Sequence, residues 1–239
     1  MKRYNKKDDV SYSLGTTLTI ELLNRKLPFV RKIYFHSKLV ENEVTLNIKK
    51  ICNENNIPII VSDKPFNILS NKENCFVIGE FTKFDSHLDK DSNHVVLVNP
   101  SNSGNLGTII RSMVGFNVTN LAIILPSCDI FDTKTIRASM GAVFNINFEL
   151  FNSFDEYLSK YKNNNIYPFM LQAKKSISEV EFKKPYSLVF GNEATGLPID
   201  FLKIGTSVII KHSNLIDSLN LPIALSIALH YVTIDDFKS

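Results

Sequence analysis

At 239 residues, with 44% hydrophobic and 21% charged side chains, the chain has an ordinary globular composition and room for two domains. Its formal net charge of +3 neither demands nor forbids a nucleic-acid partner, because a local basic patch suffices for one. Cys52, Cys75 and Cys128 are scattered and form no Cys-x-x-Cys pair. They argue against a disulfide framework and against a structural zinc site, so no metal is expected and each reads as a small buried side chain.

Residues 1–10 are polar and read as a mobile tail. Polar residues follow the basic start where a signal peptide needs an apolar run, and no stretch approaches the roughly 18 apolar residues of a membrane span. The expected place is therefore the cytoplasm, without a membrane partner. The start is the most basic part of the chain: Lys2, Arg3, Lys6, Lys7, Arg25, Lys26, Arg31 and Lys32 face only Asp8, Asp9 and Glu21. Residues 16–26 carry Leu18, Ile20, Leu22 and Leu23, which suits a short amphipathic helix. A strand over 32–36, a helix over 44–54 and strands over 57–61 and 74–79 complete a small α/β unit. Residues 82–93 are mostly polar or charged and supply no core, so a linker is expected at 83–93, between domains at 1–82 and 94–239.

From His94 a stronger pattern begins. Residues 95–98 and 121–125 are short, continuous apolar runs of the kind found in parallel strands buried on both faces. Between them, residues 102–116 place Leu106, Ile109, Ile110 and Met113 on one helical face. Further strands are expected at 167–171, 187–190 and 207–210, with helices at 133–140 and 155–161. Seven of the nine glycines fall between residues 104 and 205, which concentrates tight turns and close backbone approaches in this half. Alternating strands and helices predict an α/β fold with a mostly parallel sheet covered on both faces.

Two strand-end loops lie close together in the last third. The run Leu188-Val-Phe-Gly-Asn-Glu-Ala-Thr-Gly-Leu-Pro198 ends a buried strand in a glycine, an amide, a carboxylate and a second glycine. Residues 209–224 repeat the pattern, and Ser218-Leu-Asn220 opens an apolar helix. In open α/β sheets the carboxyl edge is where ligands bind, so these loops predict a pocket. Upstream, the polar loop 99–107 runs into the helix carrying Arg111. It has neither a Gly-Lys-Ser/Thr nor a Gly-x-Gly-x-x-Gly pattern, which leaves out a P-loop and the standard dinucleotide fingerprint. Asn102 or Ser103 can cap that helix. Arg111, amid Ile109, Ile110 and Met113, is expected to need a carboxylate or phosphate partner. Asp132 can likewise cap a helix that leads to Arg137, Ser139 and Gly141.

Taken together, Asn105-Leu-Gly-Thr-Ile-Ile-Arg111, Arg137-Ala-Ser-Met-Gly-Ala142, Phe190-Gly-Asn-Glu-Ala-Thr-Gly196 and Asp217-Ser-Leu-Asn-Leu221 resemble, in order and spacing, the SPOUT-class RNA methyltransferases of the SpoU or TrmH type. The resemblance covers residues 94 to about 235. Residues 11–81 are similar, less specifically, to the small ribosomal-protein-like domain with which family members hold ribosomal RNA. It implies methyl transfer from S-adenosylmethionine to a ribose 2′-hydroxyl, a trefoil knot in the fold, a homodimer, and an RNA partner, with rRNA favoured over tRNA. It further implies a cofactor site at Leu171, Gly191, Asn192, Ile210 and Leu219, with Arg111 as the catalytic arginine. Glu193 would orient Arg111, and Asn105, Ser218 and Asn220 would fix substrate and loops. Alone, Glu193 and Asn220 read as loop bracing and helix capping. Lys211 and Asn214 stand where the family commonly has proline and glycine. Asparagine tolerates left-handed backbone, which would keep the loop's shape, while Lys211 would alter the pocket rim. Two other readings stay open: a catalytically inactive RNA-binding module of ribosome assembly, and methylation of a protein or small molecule.

Overall fold

The computed structural model describes residues 3–70 and 74–237. The first two residues of the expected tail lie outside this range. In chain order the elements are β1 (Val10–Leu14), α1 (Thr16–Lys26), β2 (Val30–Phe35), α2 (Glu43–Glu54), β3 (Ile59–Val61), α3 (Lys64–Leu69), β4 (Val77–Thr82), β5 (His94–Val98), α4 (Ser103–Gly115) and β6 (Asn120–Ile124). They continue with α5 (Thr133–Ala138), β7 (Asn147–Phe151), α6 (Phe154–Lys160), β8 (Asn165–Pro168), β9 (Lys175–Ser176), β10 (Tyr186–Phe190), β11 (Val208–Ile209) and α7 (Leu221–Thr233). The chain divides into two compact units, Met1–Phe84 with Asp129–Asn145, and Asp85–Cys128 with Ile146–Ser239.

The first unit holds a four-stranded sheet in the order β1-β4-β2-β3. Its β4 is antiparallel to both neighbours, and β2 pairs in parallel with β3. Leu23 of α1 and Ile48 and Cys52 of α2 pack on Ile33, Phe35 and Val77, while Tyr12, Tyr34, Phe66, Cys75 and Ile78 form a second cluster. The segment holding Arg137-Ala-Ser-Met-Gly belongs to this unit and not to the sheet that surrounds it in sequence. Ser11 Oγ donates to the Phe131 carbonyl at 2.6 Å, and the rings of Phe131 and Phe144 pack on Phe81. The residues expected to form a coreless linker also contribute to cores. Phe84 is buried against Phe81 and Phe131, and Leu88 is buried in the second unit's core. Two apolar side chains among many polar ones were enough to anchor a stretch whose average composition reads as a linker.

The second unit holds a five-stranded sheet, parallel throughout, in the order β7-β6-β5-β10-β8. The strands β5, β6 and β10 are buried at every residue, as continuous apolar runs require. Phe154 and Tyr157 of α6 pack on Val96, Val98, Ala122 and Val189. The alternate residues are buried too, on the side where α4 and α7 pack together and Ser112 Oγ meets Ser226 Oγ at 2.8 Å. The strand expected at 207–210 is not part of this sheet. Only β11 forms, in a separate two-stranded pair with β9. Gly205, in a left-handed conformation, packs so close to the Ile166 carbonyl that a Cβ would lie 2.1 Å from its oxygen, and Thr206 N–H donates to that same oxygen at 2.9 Å.

At the amino ends of the strands, His94 is fully buried. Its Nε2 lies 2.8 Å from the Asp89 carbonyl, an acceptor only, so the proton sits on Nε2; Nδ1 then accepts from Tyr157 Oη at 2.8 Å. Burial dominates and lowers the imidazole pKa below its ordinary value. In the unfolded chain His94 protonates near about 6.5, so between that value and the lower folded one the unfolded state holds more protons. Stability should be fully present above about pH 6.5 and fall progressively as the pH drops through that window. Thermal midpoints from about pH 8 to 5 test this: His94→Gln should flatten the acid limb, and an unchanged limb would remove His94 as its source.

Candidate active site

The polar loops after β5 and β10 are tied to one another by side chains. After β5 the chain turns at Asn99, a non-glycine residue with φ 53°, and Asn102 then caps α4, accepting from Gly104 N–H at 2.8 Å and Asn105 N–H at 3.0 Å. After β10, Gly191 leads into a turn in which Asn192 Oδ1 accepts from Ala194 N–H at 2.9 Å. Asn192 Nδ2 then donates to the Asn99 carbonyl at 2.8 Å.

Glu193 completes this brace. Its carboxylate accepts from Ser101 N–H at 3.1 Å, Ser101 Oγ at 2.9 Å, Asn102 N–H at 3.2 Å and Asn105 Nδ2 at 3.4 Å. Burial by itself would raise this carboxyl, but the hydrogen bonds from Ser101, Asn102 and its own backbone outweigh it and hold the pKa below the ordinary range. Glu193 therefore stays ionised as the clasp between two loops.

Behind the brace lies a cavity of about 220 Å³, bounded by the chain after β8, the β10 turn, the loop after β11 and the start of α7. All five residues expected at a cofactor site, Leu171, Gly191, Asn192, Ile210 and Leu219, line it, together with Glu193 and Ser218. Phe169 and Phe190, stacked with ring centroids 4.5 Å apart, form part of its wall. Among the described residues the lining contains no lysine or arginine and a single carboxylate, Glu193. Aromatic and aliphatic side chains beside one carboxylate and exposed loop backbone suit a ligand that joins a flat aromatic group to a cationic centre.

Several expectations are corrected. Glu193 makes no ion pair with Arg111 among the described residues; its oxygens accept instead from Ser101, Asn102 and Asn105. Arg111 is exposed on α4, its side chain forms no hydrogen bond or ion pair among the described residues, and it does not line the cavity, so no buried apolar face forces a partner on it. Asn220 stands at the start of α7, but its side chain makes no cap, and it too lies outside the cavity lining. Lys211 is exposed and absent from the lining, and Asn214 is not among the left-handed non-glycine residues, which among the described residues are Asn56, Asn99, Asn117 and Met140. Ser101, Gln172 and His212 were not foreseen. Ser101 could have been suspected from its place before a helix cap, whereas Gln172 and His212 reach the cavity only through the tertiary path of their loops.

A parallel five-stranded sheet flanked by helices, with its cavity between strand-end loops, is the arrangement of SPOUT-class methyltransferases. The crystal structure of an rRNA methyltransferase from Sinorhizobium meliloti with AdoMet bound shares this fold, with a TM-score of 0.81 and 23% identity over 97% of this chain and 89% of its own. Residues 92–230, more than half of the chain, match the family model for the SpoU rRNA Methylase family, and the chain belongs to that family. A tRNA/rRNA methyltransferase of Synechocystis sp., itself uncharacterized, is 27% identical over 139 residues, 57% of this chain and 51% of the relative, so the match spans about half that protein's length. A putative tRNA (cytidine(34)-2′-O)-methyltransferase of Listeria innocua is 32% identical over 115 residues, covering 46% of this chain and 68% of its own.

Proposed function

We propose that the protein is an S-adenosylmethionine-dependent RNA methyltransferase acting on a ribose 2′-hydroxyl, in ribosomal RNA rather than tRNA, and working in the cytoplasm. The observation that carries the reading is the convergence of three loops between residues 169 and 224 on one cavity with no lysine or arginine among the described lining residues. S-adenosylmethionine supplies an electrophilic methyl group on a sulfonium when bound. Leu171, Ile210 and Leu219 give the cavity apolar walls for the adenine, and Gly191 and Asn192 bring backbone to its edge. The lack of a cationic side chain in the lining avoids repulsion of the sulfonium.

Arg111 is the catalytic residue of this reading. A guanidinium keeps its proton at ordinary pH and is a poor general base, so its role is electrostatic: it stabilises the oxyanion that develops as the 2′-hydroxyl loses its proton, and it holds the adjacent phosphate. Asn105, Ser218 and Asn220 position the substrate, and Glu193 acts through the loops it ties together. The working form is a homodimer. Ile223, Ile227, Tyr231 and Ile234 leave an exposed apolar strip along the carboxyl-terminal helical segment, a face suited to a second copy of the chain.

Ribosomal RNA is favoured because the rRNA methyltransferase likeness extends over 97% of the chain, the first unit included, whereas the tRNA-directed Listeria relative covers less than half of it. The test is transfer of a labelled methyl group to purified rRNA and tRNA. A 2′-O-methyl group protects the following phosphodiester from alkali, so label should appear in alkali-resistant dinucleotides from rRNA. Label recovered in bases or in protein would overturn the reaction, and label in tRNA alone would overturn the substrate.

A further inference from the structure

Among the described residues that line the cavity of the second unit, two side chains can carry a charge near neutral pH, Glu193 and His212. Glu193 is engaged in the loop brace, where Ser101, Asn102 and Asn105 donate to its two oxygens. His212 is not so engaged. Its Nδ1 lies 3.0 Å from the Ile210 carbonyl, an acceptor only, so the proton of the neutral ring sits on Nδ1. Nε2 is then a bare acceptor and makes no hydrogen bond among the described residues.

The fold holds this ring in place. Both ends of its loop line the cavity: Ile209 and Ile210 come from β11, which pairs with β9, and Ser218 and Leu219 lead into α7. His212 is half-buried, while Lys211 and Ser213 on either side of it are exposed, so the ring stands at the cavity rim, where it can exchange its proton with water. The other charged groups of its loop, Lys211 and Asp217, are exposed and absent from the lining. Among the described residues, α7 and the chain after β8 bring no charged side chain to the lining either.

We propose that His212 is a specificity-determining residue for the cofactor: as a neutral ring it admits the sulfonium of S-adenosylmethionine, and as an imidazolium it excludes it. This rests on the cofactor reading given above. An imidazolium would put a second positive charge into the cavity beside the sulfonium, and charges that share a partly buried site are screened less than charges on an open surface. The thioether left after methyl transfer has no charge on its sulfur and meets no such repulsion. A cationic ligand therefore makes the ring harder to protonate, so its binding releases protons. Affinity for it is full where the ring is neutral and is lost as the pH falls through the range in which imidazoles change charge, about pH 8 to 5. Glu193, held below the ordinary carboxylate range by its hydrogen bonds, stays ionised over that range.

The test is calorimetric titration of the full chain with S-adenosylmethionine and with its thioether product, S-adenosylhomocysteine, from about pH 8 to 5.5. For the wild type, affinity for S-adenosylmethionine should fall roughly tenfold across this range and affinity for the product by less than about threefold. Heats measured in buffers of different ionisation enthalpy should show more proton release for S-adenosylmethionine than for the product. His212→Gln keeps a polar side chain that cannot titrate, so it should flatten the profile and abolish the proton release. His94→Gln removes a buried imidazole at the opposite edge of the sheet and should leave both intact, which separates loss of cofactor from loss of fold stability in acid. Lys211→Gln should leave both intact as well. Equal weakening of the two ligands in the wild type, or a profile in His212→Gln as steep as the wild type's, overturns the proposal. Wild-type binding of S-adenosylmethionine without proton release also overturns it, and that measurement needs no variant to fold. Wild-type protein that binds neither ligand at any pH would instead overturn the cofactor reading itself.

Discussion

Arg111→Ala is expected to lower methyl transfer by roughly 10²–10³, the range found when one preorganised group facing a developing oxyanion is removed. Two features make this substitution informative. Arg111 is exposed and its side chain has no hydrogen bond or ion pair among the described residues, so its loss should leave thermal stability within about 0.5 kcal/mol. It is also outside the cavity lining, so stabilisation by S-adenosylmethionine should be unchanged. The effect should therefore fall on turnover, with some loss of RNA affinity if the guanidinium also holds a phosphate. Arg111→Lys keeps a charge but not the planar fork and should recover only part of the rate. A variant that binds RNA and cofactor normally and still methylates at the wild-type rate would remove Arg111 from the chemistry.

Most of the second unit was legible in the sequence because its central strands are buried on both faces. Continuous apolar runs marked β5, β6 and β10, and the periodicity of Leu106, Ile109, Ile110 and Met113 marked α4. Two strands escaped notice because polar residues interrupt their apolar pattern. In β1, Ser11 and Ser13 are fully buried, with hydroxyls bonded to the Phe131 carbonyl and to Thr19 Oγ1, so Val-Ser-Tyr-Ser-Leu carries no continuous hydrophobic signal. In β7, Asn147 and Glu149 alternate with apolar residues, which reads as a weak strand. Membership of segment 129–145 in the first unit was hidden for a different reason. It depends on Phe131 and Phe144 meeting Phe81, a long-range aromatic contact with no local trace.

The same distinction holds at the site. Residue types and order located the cavity, but they did not say which partner each polar group would choose. For Glu193, loop bracing and a role beside arginine both need a carboxylate after a strand-end glycine, and only the tertiary arrangement decides between them. Ser101 and Asn102 offer two backbone N–H groups and a hydroxyl within 3.2 Å, and a carboxylate so supplied has little capacity left for a guanidinium. The two loops are thus joined by Glu193 and Asn192, with the consequence that a purely steric change in one should disturb both.

Gly191→Ala makes that change. A Cβ at this position would lie 2.1 Å from the Gly196 carbonyl carbon, 2.3 Å from its oxygen and 2.3 Å from the Leu197 nitrogen. These are backbone atoms and cannot move aside by rotating a side chain, so the turn carrying Asn192 and Glu193 must open. Overpacking of this kind costs about 1–3 kcal/mol, and here the shift also pulls Asn192 from the Asn99 carbonyl and moves one wall of the cavity. Gly191→Ala should therefore lower the thermal midpoint and abolish stabilisation by S-adenosylmethionine. Gly196→Ala is the matched control: its φ is 67°, but nothing lies within 4 Å of its would-be Cβ, so it meets only the left-handed backbone cost of about 1–2 kcal/mol. Both substitutions add one methyl group to the same turn, yet only the first collides with backbone. If Gly191→Ala retained the full cofactor-induced shift while Gly196→Ala lost it, the close approach at Gly191 would not be what shapes the cavity.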